Sequence, residues 1–397
     1  MRANPRALSL APSATLALNQ KAKALAAQGR SIVNLTTGEP DFLTPERIRK
    51  AAVDAMERGE THYTAVRGIL PLRQEIAKAA SKTYGRSYAA ANVIVSSGAK
   101  QCLYNLFFAM LRPGDEVVLF APYWVSYSDI VTMNAGKAVV LSTELDRGFE
   151  PDLAKVEASL NGNTRAILLN SPCNPTGGVY SKAFFDGLAA ILSRFPDVLV
   201  ITDDIYGRLL YDGRAFESIG MHPAIDSERL VIVDGVSKTY AMTGWRLGWT
   251  LAPPAWIDLM DKIQSQTTSN PSSLSQWATL EALRGDGADV EEMRAAFEDR
   301  RDAMGRALGE IGLPMLKPGG AFYFFPKIRD YLGKSAEGFA VHDDVALCEY
   351  LLEQCGVAAV PGSAFGAPGF LRLSFASPEE ELLEGARRLA EGLRRLA

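Results

Sequence analysis

The sequence predicts an α/β protein: a mostly parallel sheet covered on both faces, joined to a smaller α/β unit. Strand-length apolar runs alternate with helix-length segments from about residue 90 to 250. Those runs are continuously apolar, as in strands buried on both sides. Beyond Gly312 the texture changes to aromatic, strand-like pieces set between further helices.

A first helix is expected at 16–28, where Leu16, Leu18 and Ala22 lead into Leu25 and Ala26. A short strand at 31–35 runs into a breaker-rich loop at 36–41. The next helix spans 45–58, with Thr44 as its expected cap. An extended loop at 61–68 carries Tyr63 and Arg67, and 72–84 is helical again. The alternation then sets in. Strands are expected at 93–95, 116–120, 138–141, 166–169, 198–202, 230–233 and 247–251, with helices at 100–111, 125–134 and 182–194. Long helices follow at 255–266, 273–283 and 290–311. In the last part, strands at 321–326, 357–360 and 370–375 mix with helices at 344–354 and 379–396. A break falls near 305–315, with no internal repeat or low-complexity linker.

Composition narrows the function classes. The chain has 397 residues, 47% of them hydrophobic, and a net charge of -4. No Lys/Arg-rich run is present, so no nucleic-acid partner is expected. No apolar run approaches the roughly 18 residues of a membrane span. Pro12, Ser13 and Thr15 interrupt the N-terminus before a signal-peptide core forms. Cys102, Cys173, Cys348 and Cys355 form no CxxC pair and read as reduced thiols of a cytoplasmic protein. His62, His222 and His342 lie far apart, so no metal is expected.

In an open α/β sheet, ligands bind beyond the carboxyl ends of the strands. Reading only those ends gives a short list. After 93–95, Ser97-Gly98-Ala99 opens a helix and leaves N–H groups for an anion. After 116–120, Tyr123-Trp124 offers a flat ring. After 166–169, the Asn- and Pro-rich stretch 170–177 fixes a turn that can aim an amide. After 198–202 comes Asp203-Asp204-Ile205-Tyr206, a carboxylate that costs desolvation unless it meets a cation. After 230–233 comes Lys238, with Arg246 eight residues on. Each has a structural explanation when taken alone. Together they meet the needs of one ligand, pyridoxal 5'-phosphate: a lysine for its aldehyde, an aspartate for its ring nitrogen and an anion site for its phosphate.

Three segments carry a resemblance. Residues 237–246, Ser-Lys-Thr-Tyr-Ala-Met-Thr-Gly-Trp-Arg, are the most specific; residues 170–177 and Pro122-Tyr123-Trp124-Val125-Ser126-Tyr127 also match. They resemble class I aminotransferases of fold type I, of the bacterial aspartate aminotransferase type. The likeness runs from Pro12 to Arg372. It implies a large cofactor-binding domain at 46–308 and a small domain made from both chain ends, 1–45 and 309–397. By the same resemblance Lys238 carries the cofactor as a Schiff base, and Asp203 meets the ring nitrogen. Asn174 and Tyr206 donate to the ring oxygen, and Trp124 stacks on the ring. Gly98, Ala99, Arg246 and, more weakly, Ser237 hold the phosphate. Tyr63 reaches the cofactor phosphate of the neighbouring subunit, which implies a homodimer. Gly38 and Arg372 clamp the substrate α-carboxylate, and Lys100 meets a side-chain carboxylate. Alternation agrees at Arg372, which shares a strand face with Ser374 and not with Leu371, Leu373 or Phe375.

The sequence also departs from the family. Residues 265–273 contain no arginine, although the animal-type enzymes place one there for dicarboxylates. Tyr127 stands where those enzymes carry histidine. Arg67 occupies a position where a neutral residue is expected, open to substrate binding or a subunit contact. Ala11 stands where prephenate-using relatives tend to carry lysine, which counts against prephenate. The implied reaction is ping-pong amino transfer between an amino acid, foremost aspartate, and a 2-oxo acid, 2-oxoglutarate. Aromatic, kynurenine or prephenate-type donors compete, as does a lyase on the same scaffold.

Overall fold

The computed structural model describes residues 4–8, 10, 14–336 and 338–397. Ala11, Pro12 and Ser13, which bear on the prephenate and N-terminal readings, lie outside the described residues. The chain opens with α1 (Pro5–Leu8), α2 (Ala14–Ala27) and β1 (Val33–Asn34), then α3 (Glu46–Glu57) and α4 (Leu70–Tyr84). The alternating region follows: β2 (Val93–Ser96), α5 (Ala99–Met110), β3 (Glu116–Ala121), α6 (Ser126–Met133) and β4 (Lys137–Ser142). It continues with α7 (Leu153–Ser159), β5 (Thr164–Leu169), α8 (Lys182–Leu192), β6 (Leu199–Asp203), β7 (Leu230–Gly235) and β8 (Gly248–Leu251). Three helices come next: α9 (Pro254–Thr267), α10 (Ser273–Arg284) and α11 (Ala288–Ile311). The last part contains β9 (Tyr323–Phe324), β10 (Ser335–Ala336), β11 (Phe339–Ala340), α12 (Asp344–Cys355), β12 (Val357–Ala358), β13 (Val360–Pro361), β14 (Leu371–Ser374) and α13 (Glu379–Arg395).

The main sheet has seven strands in the order β2-β8-β7-β6-β5-β3-β4. Only β8 runs antiparallel to its neighbours. The apolar runs divide cleanly between its faces. Val95, Val118, Ile167, Val200 and Ile232 belong to one buried cluster. Ile94, Val117, Leu168, Ile201 and Val233 belong to another. Successive side chains point to opposite faces, so continuous hydrophobicity means that both faces are covered.

A second cluster sits apart. Leu35, Phe297, Met304, Leu308, Tyr323, Leu347, Leu371 and Leu389 are buried together. β1 pairs in parallel with β12 (Val33 with Val357), so the N-terminal segment packs among C-terminal elements. β14 lies between β13 and β9 in a three-stranded antiparallel sheet. The boundary expected at 308/309 falls inside α11, which continues to Ile311.

Several local expectations change. Thr44 does not cap α3, which starts after Pro45 with no side-chain cap. Instead Thr44 Oγ1 donates to Ala241 O at 2.7 Å and accepts from Trp245 Nε1 at 3.0 Å. Tertiary partners claim the hydroxyl that local sequence assigns to the helix. The strand expected at 357–360 splits in two, because Val357–Ala358 pairs with β1 and Val360–Pro361 with β14. The strand expected at 321–326 contracts to Tyr323–Phe324.

Candidate active site

Parallel strands bring their carboxyl ends to one edge of the main sheet, and β8 folds back into that edge. Gly248, its first residue, pairs with both Ser96 of β2 and Gly235 of β7. Arg246, two residues earlier, therefore arrives beside the β2–α5 turn. The fit is tight. A Cβ on Gly98 would lie 2.8 Å from Arg246 Nη2, and a Cβ on Gly248 would lie 2.5 Å from Ala99 N. Gly98 has φ +91° and Arg246 φ +54°, a left-handed conformation uncommon for a side chain that size. No side chain caps α5. A helix N-terminus, Arg246 and Lys100 thus converge with no salt bridge to either cation among the described residues, an arrangement that favours a bound anion.

Lys238 follows β7, and its Nζ donates to Gly38 O at 2.5 Å. Burial lowers its pKa to about 8; Arg372 and Arg246 act in the same direction, while Glu39 and Asp203 oppose them. The neutral amine is therefore far more populated near physiological pH than in an ordinary lysine, though still the minority form. Asp203 ends β6. Burial raises its carboxyl to about 6, against the hydrogen bonds that hold it from Tyr127 Oη (2.7 Å to Oδ2) and Ile205 N (3.3 Å to Oδ1). Asn170 Nδ2 donates to Asp203 O at 2.7 Å, while Asn170 Oδ1 accepts from Asn174 N at 3.0 Å. One side chain thus ties the 170–177 turn to the end of β6.

Arg372 stands in β14, 2% exposed. Nη1 donates to Asn174 Oδ1 at 3.1 Å, and Nη2 to Thr36 O at 2.7 Å. Nε is buried without a partner. The guanidinium lies 4.5 Å from the Tyr323 ring centroid and meets no carboxylate among the described residues. Burial lowers its pKa. A buried cation with an open donor calls for an anion from outside the chain. Lys100, similarly, lies over the Trp124 ring (4.9 Å to the centroid) and forms no ion pair among the described residues.

One cavity of about 370 Å³ joins these groups. Every residue to which the resemblance gives a cofactor or substrate role lines it except Gly98 and Tyr63. Gly98 lies directly behind, against Arg246. Tyr63 stands apart and 92% exposed. A larger cavity of about 680 Å³, beside Tyr84 and Asp234, contains none of them.

The family model for aminotransferase class I and II matches residues 30–389. The chain belongs to that family. It is 42% identical to the aspartate/prephenate aminotransferase of Nitrosomonas europaea over 394 residues, covering 98% of this chain and 99% of that one. The crystal structure of the aspartate aminotransferase from Rhizobium meliloti superposes with a TM-score of 0.95 at 42% identity, covering all of both chains. That of the Thermus thermophilus aspartate aminotransferase with maleate gives 0.92 at 40% identity, over 99% of this chain and all of the other.

The protein is thus a pyridoxal 5'-phosphate-dependent aminotransferase of fold type I. The residues present fit that cofactor. They provide an amine with a lowered pKa, a buried carboxylate, a half-buried indole face and a cationic helix N-terminus, where a Cβ at Gly98 would collide with the Arg246 guanidinium. Arg67 is engaged elsewhere in this aminotransferase, with Asp261 at 2.7 Å and Asp258 at 3.1 Å, and does not line the cavity. Sequence reasoning missed Asn19, Glu39 and Tyr323, which do. Glu39 sits in the loop already marked as rich in breakers and accepts from Thr243 Oγ1 at 2.5 Å. Asn19 accepts from Asn34 Nδ2 at 2.7 Å, a link that no local pattern reveals.

Proposed function

We propose that this aminotransferase exchanges the amino group of L-aspartate with 2-oxoglutarate by a ping-pong reaction at Lys238. One observation carries the substrate class: a single cavity holds Lys238 together with Arg372 and Lys100, two cations that form no salt bridge among the described residues, although Asp129 acts on Lys100 from a longer distance. Arg372 takes the α-carboxylate by its guanidinium fork, with the Gly38 loop alongside. Lys100 takes the side-chain carboxylate. The Thermus relative solved with maleate, itself a dicarboxylate, supports the same reading. The name of the Nitrosomonas relative favours prephenate as a second substrate.

When bound, pyridoxal 5'-phosphate supplies a ring that accepts the electrons left as the α-proton departs. The chain's own groups do the rest. Lys238 Nζ, with a pKa near 8, would take that α-proton and hand it on to the C4' carbon of the cofactor. Asp203 keeps a proton on the ring nitrogen, and Tyr127 fixes the carboxylate's orientation. Asn174 and Tyr206 donate to the ring oxygen, and Trp124 covers the ring face. Gly98, Ala99, Ser237 and Arg246 hold the phosphate. The same reading makes the protein a cytoplasmic homodimer in which Tyr63, idle in one subunit, serves the other's phosphate. It also assigns 46–308 to the large domain and both chain ends to the small one, supported by the β1–β12 pairing.

A screen of amino donors against 2-oxoglutarate tests the substrate. Aspartate is expected to lead. Lys100→Ala should raise KM for aspartate about tenfold or more, the worth of one charged hydrogen bond, and leave monocarboxylate donors unchanged. Equal effects on both donor types sink the assignment of Lys100. Lys238→Ala should lower kcat about a hundredfold or more; full activity sinks the mechanism.

A further inference from the structure

We propose that Tyr323 is a positioning residue whose hydroxyl turns the single proton of Tyr206 towards the cofactor's ring oxygen. The proposal rests on the reading above that Tyr206 donates to that oxygen.

Tyr206 follows β6 and Tyr323 stands in β9, 117 positions apart in sequence. Their hydroxyl oxygens lie 3.0 Å apart, and either can be the donor. Both residues are buried, and their rings meet edge to face at 81°. Tyr323 Oη has no other hydrogen-bond partner among the described residues. Its ring is pinned by the Arg372 guanidinium. The Gly38 loop closes over the hydroxyl: a Cβ on Gly38 would lie 3.6 Å from it.

A phenol has one proton to give and lone pairs to accept with. Alone, the pair is degenerate. An anionic oxygen beside Tyr206 breaks the tie, because only one order satisfies every group: Tyr323 donates to Tyr206, and Tyr206 donates to the oxygen. No proton changes owner. Each donor polarises the next, so Tyr206 becomes a better donor than an isolated phenol. The ring oxygen then carries less negative charge. It stabilises a neighbouring positive charge less well, including one on the nitrogen by which Lys238 holds the cofactor. That nitrogen therefore loses its proton at lower pH.

Arg372 and Asp203 also face Tyr206, and Glu39, Arg372, Arg246 and Asp203 act on Lys238. Tyr323→Phe leaves all of them in place and keeps the ring against Arg372, so a shift isolates the hydroxyl. The test is a pH titration of the bound cofactor's absorbance in the holoenzyme. Tyr206→Phe is expected to raise the transition by about one unit, the worth of one hydrogen bond. Tyr323→Phe should raise it by roughly 0.3 unit, the share due to polarisation. The double variant should not exceed Tyr206→Phe, since Tyr323 acts only through Tyr206. Placing 3-fluorotyrosine at 323, a stronger donor on the same ring, should lower the transition. Tyr211→Phe removes another buried hydroxyl, one that donates to Ala321 O, and should leave the transition unmoved.

A shift in Tyr206→Phe with none in Tyr323→Phe overturns the proposal and leaves the role of Tyr206 standing. No shift in either overturns both. Additive shifts in the double variant, or an equal shift in Tyr211→Phe, also overturn it.

Discussion

Asp203 and Asp204 are neighbours of one type, both buried and both raised to about 6, with burial as the first cause. Only their surroundings separate them. Asp204 is enclosed by donors: Tyr84 Oη and Ser218 Oγ, each 2.9 Å from Oδ2, and Thr202 Oγ1, 2.5 Å from Oδ1. Asp203 lines the cavity. Asp203→Ala should therefore cost far more turnover than Asp204→Ala, while Asp204→Ala should cost more stability. Equal losses of rate would mean that the wrong carboxylate had been chosen. Stability also depends on pH through Asp203. Its folded pKa is raised above the ordinary 3.8, so the folded chain holds the proton more tightly. The penalty for ionising it grows as pH rises from about 4 to 6 and is constant above that. In the cofactor-free protein, Asp203→Asn should add on the order of 2–3 kcal/mol at pH 8 and nothing at pH 3.5, read by denaturant unfolding. The sequence identified the carboxylate at the strand end. It could not identify Tyr127, Tyr84 and Ser218 as the donors, because these come from other elements.

The β2–α5 turn shows how far an element can be read locally. Ser97-Gly98-Ala99 before an amphipathic helix already suggested an anion site. The role of Gly248 did not show, because within 247–251 it looks like any strand glycine. Its importance arises from register: antiparallel β8 lies between β2 and β7 and sets Gly248 against Ala99. A methyl there meets backbone rather than a side chain that can swing away. Gly248→Ala should therefore push the turn from Arg246 and weaken cofactor affinity about tenfold, for a strain of one to two kcal/mol. Equilibrium dialysis of the apoenzyme with pyridoxal 5'-phosphate reads this; unchanged affinity would show that the turn yields without cost. Thr44 teaches the converse. A threonine before a helix is a good cap by local rules, yet Ala241 and Trp245 hold it instead.

At the scale of the molecule, one stretch is poorly explained by a single chain. Leu43 is 79% exposed, Val53 50%, Met56 54%, Tyr63 92% and Leu70 51%. Val53 and Met56 are three apart on α3 and share a face. Exposed apolar side chains this close in sequence fit the homodimer proposed above, and Tyr63 is one of them. The layered fold was readable from continuous apolar runs, since burial on both faces leaves that signature in sequence. An interface leaves none in the periodicity of one chain, and Tyr63 entered the site list only through family resemblance. The proposed homodimer sets one expectation. Met56→Lys should bury a charge in the proposed homodimer interface and shift the mass measured by light scattering towards that of one chain. If Tyr63 completes the partner's phosphate site, the dissociated protein should also lose cofactor at dilutions where the parent keeps it. Tyr63→Phe should weaken cofactor binding while leaving the dimer intact. A monomeric variant that binds cofactor and turns over normally would detach Tyr63 from the site, and the active site would then be complete within one chain.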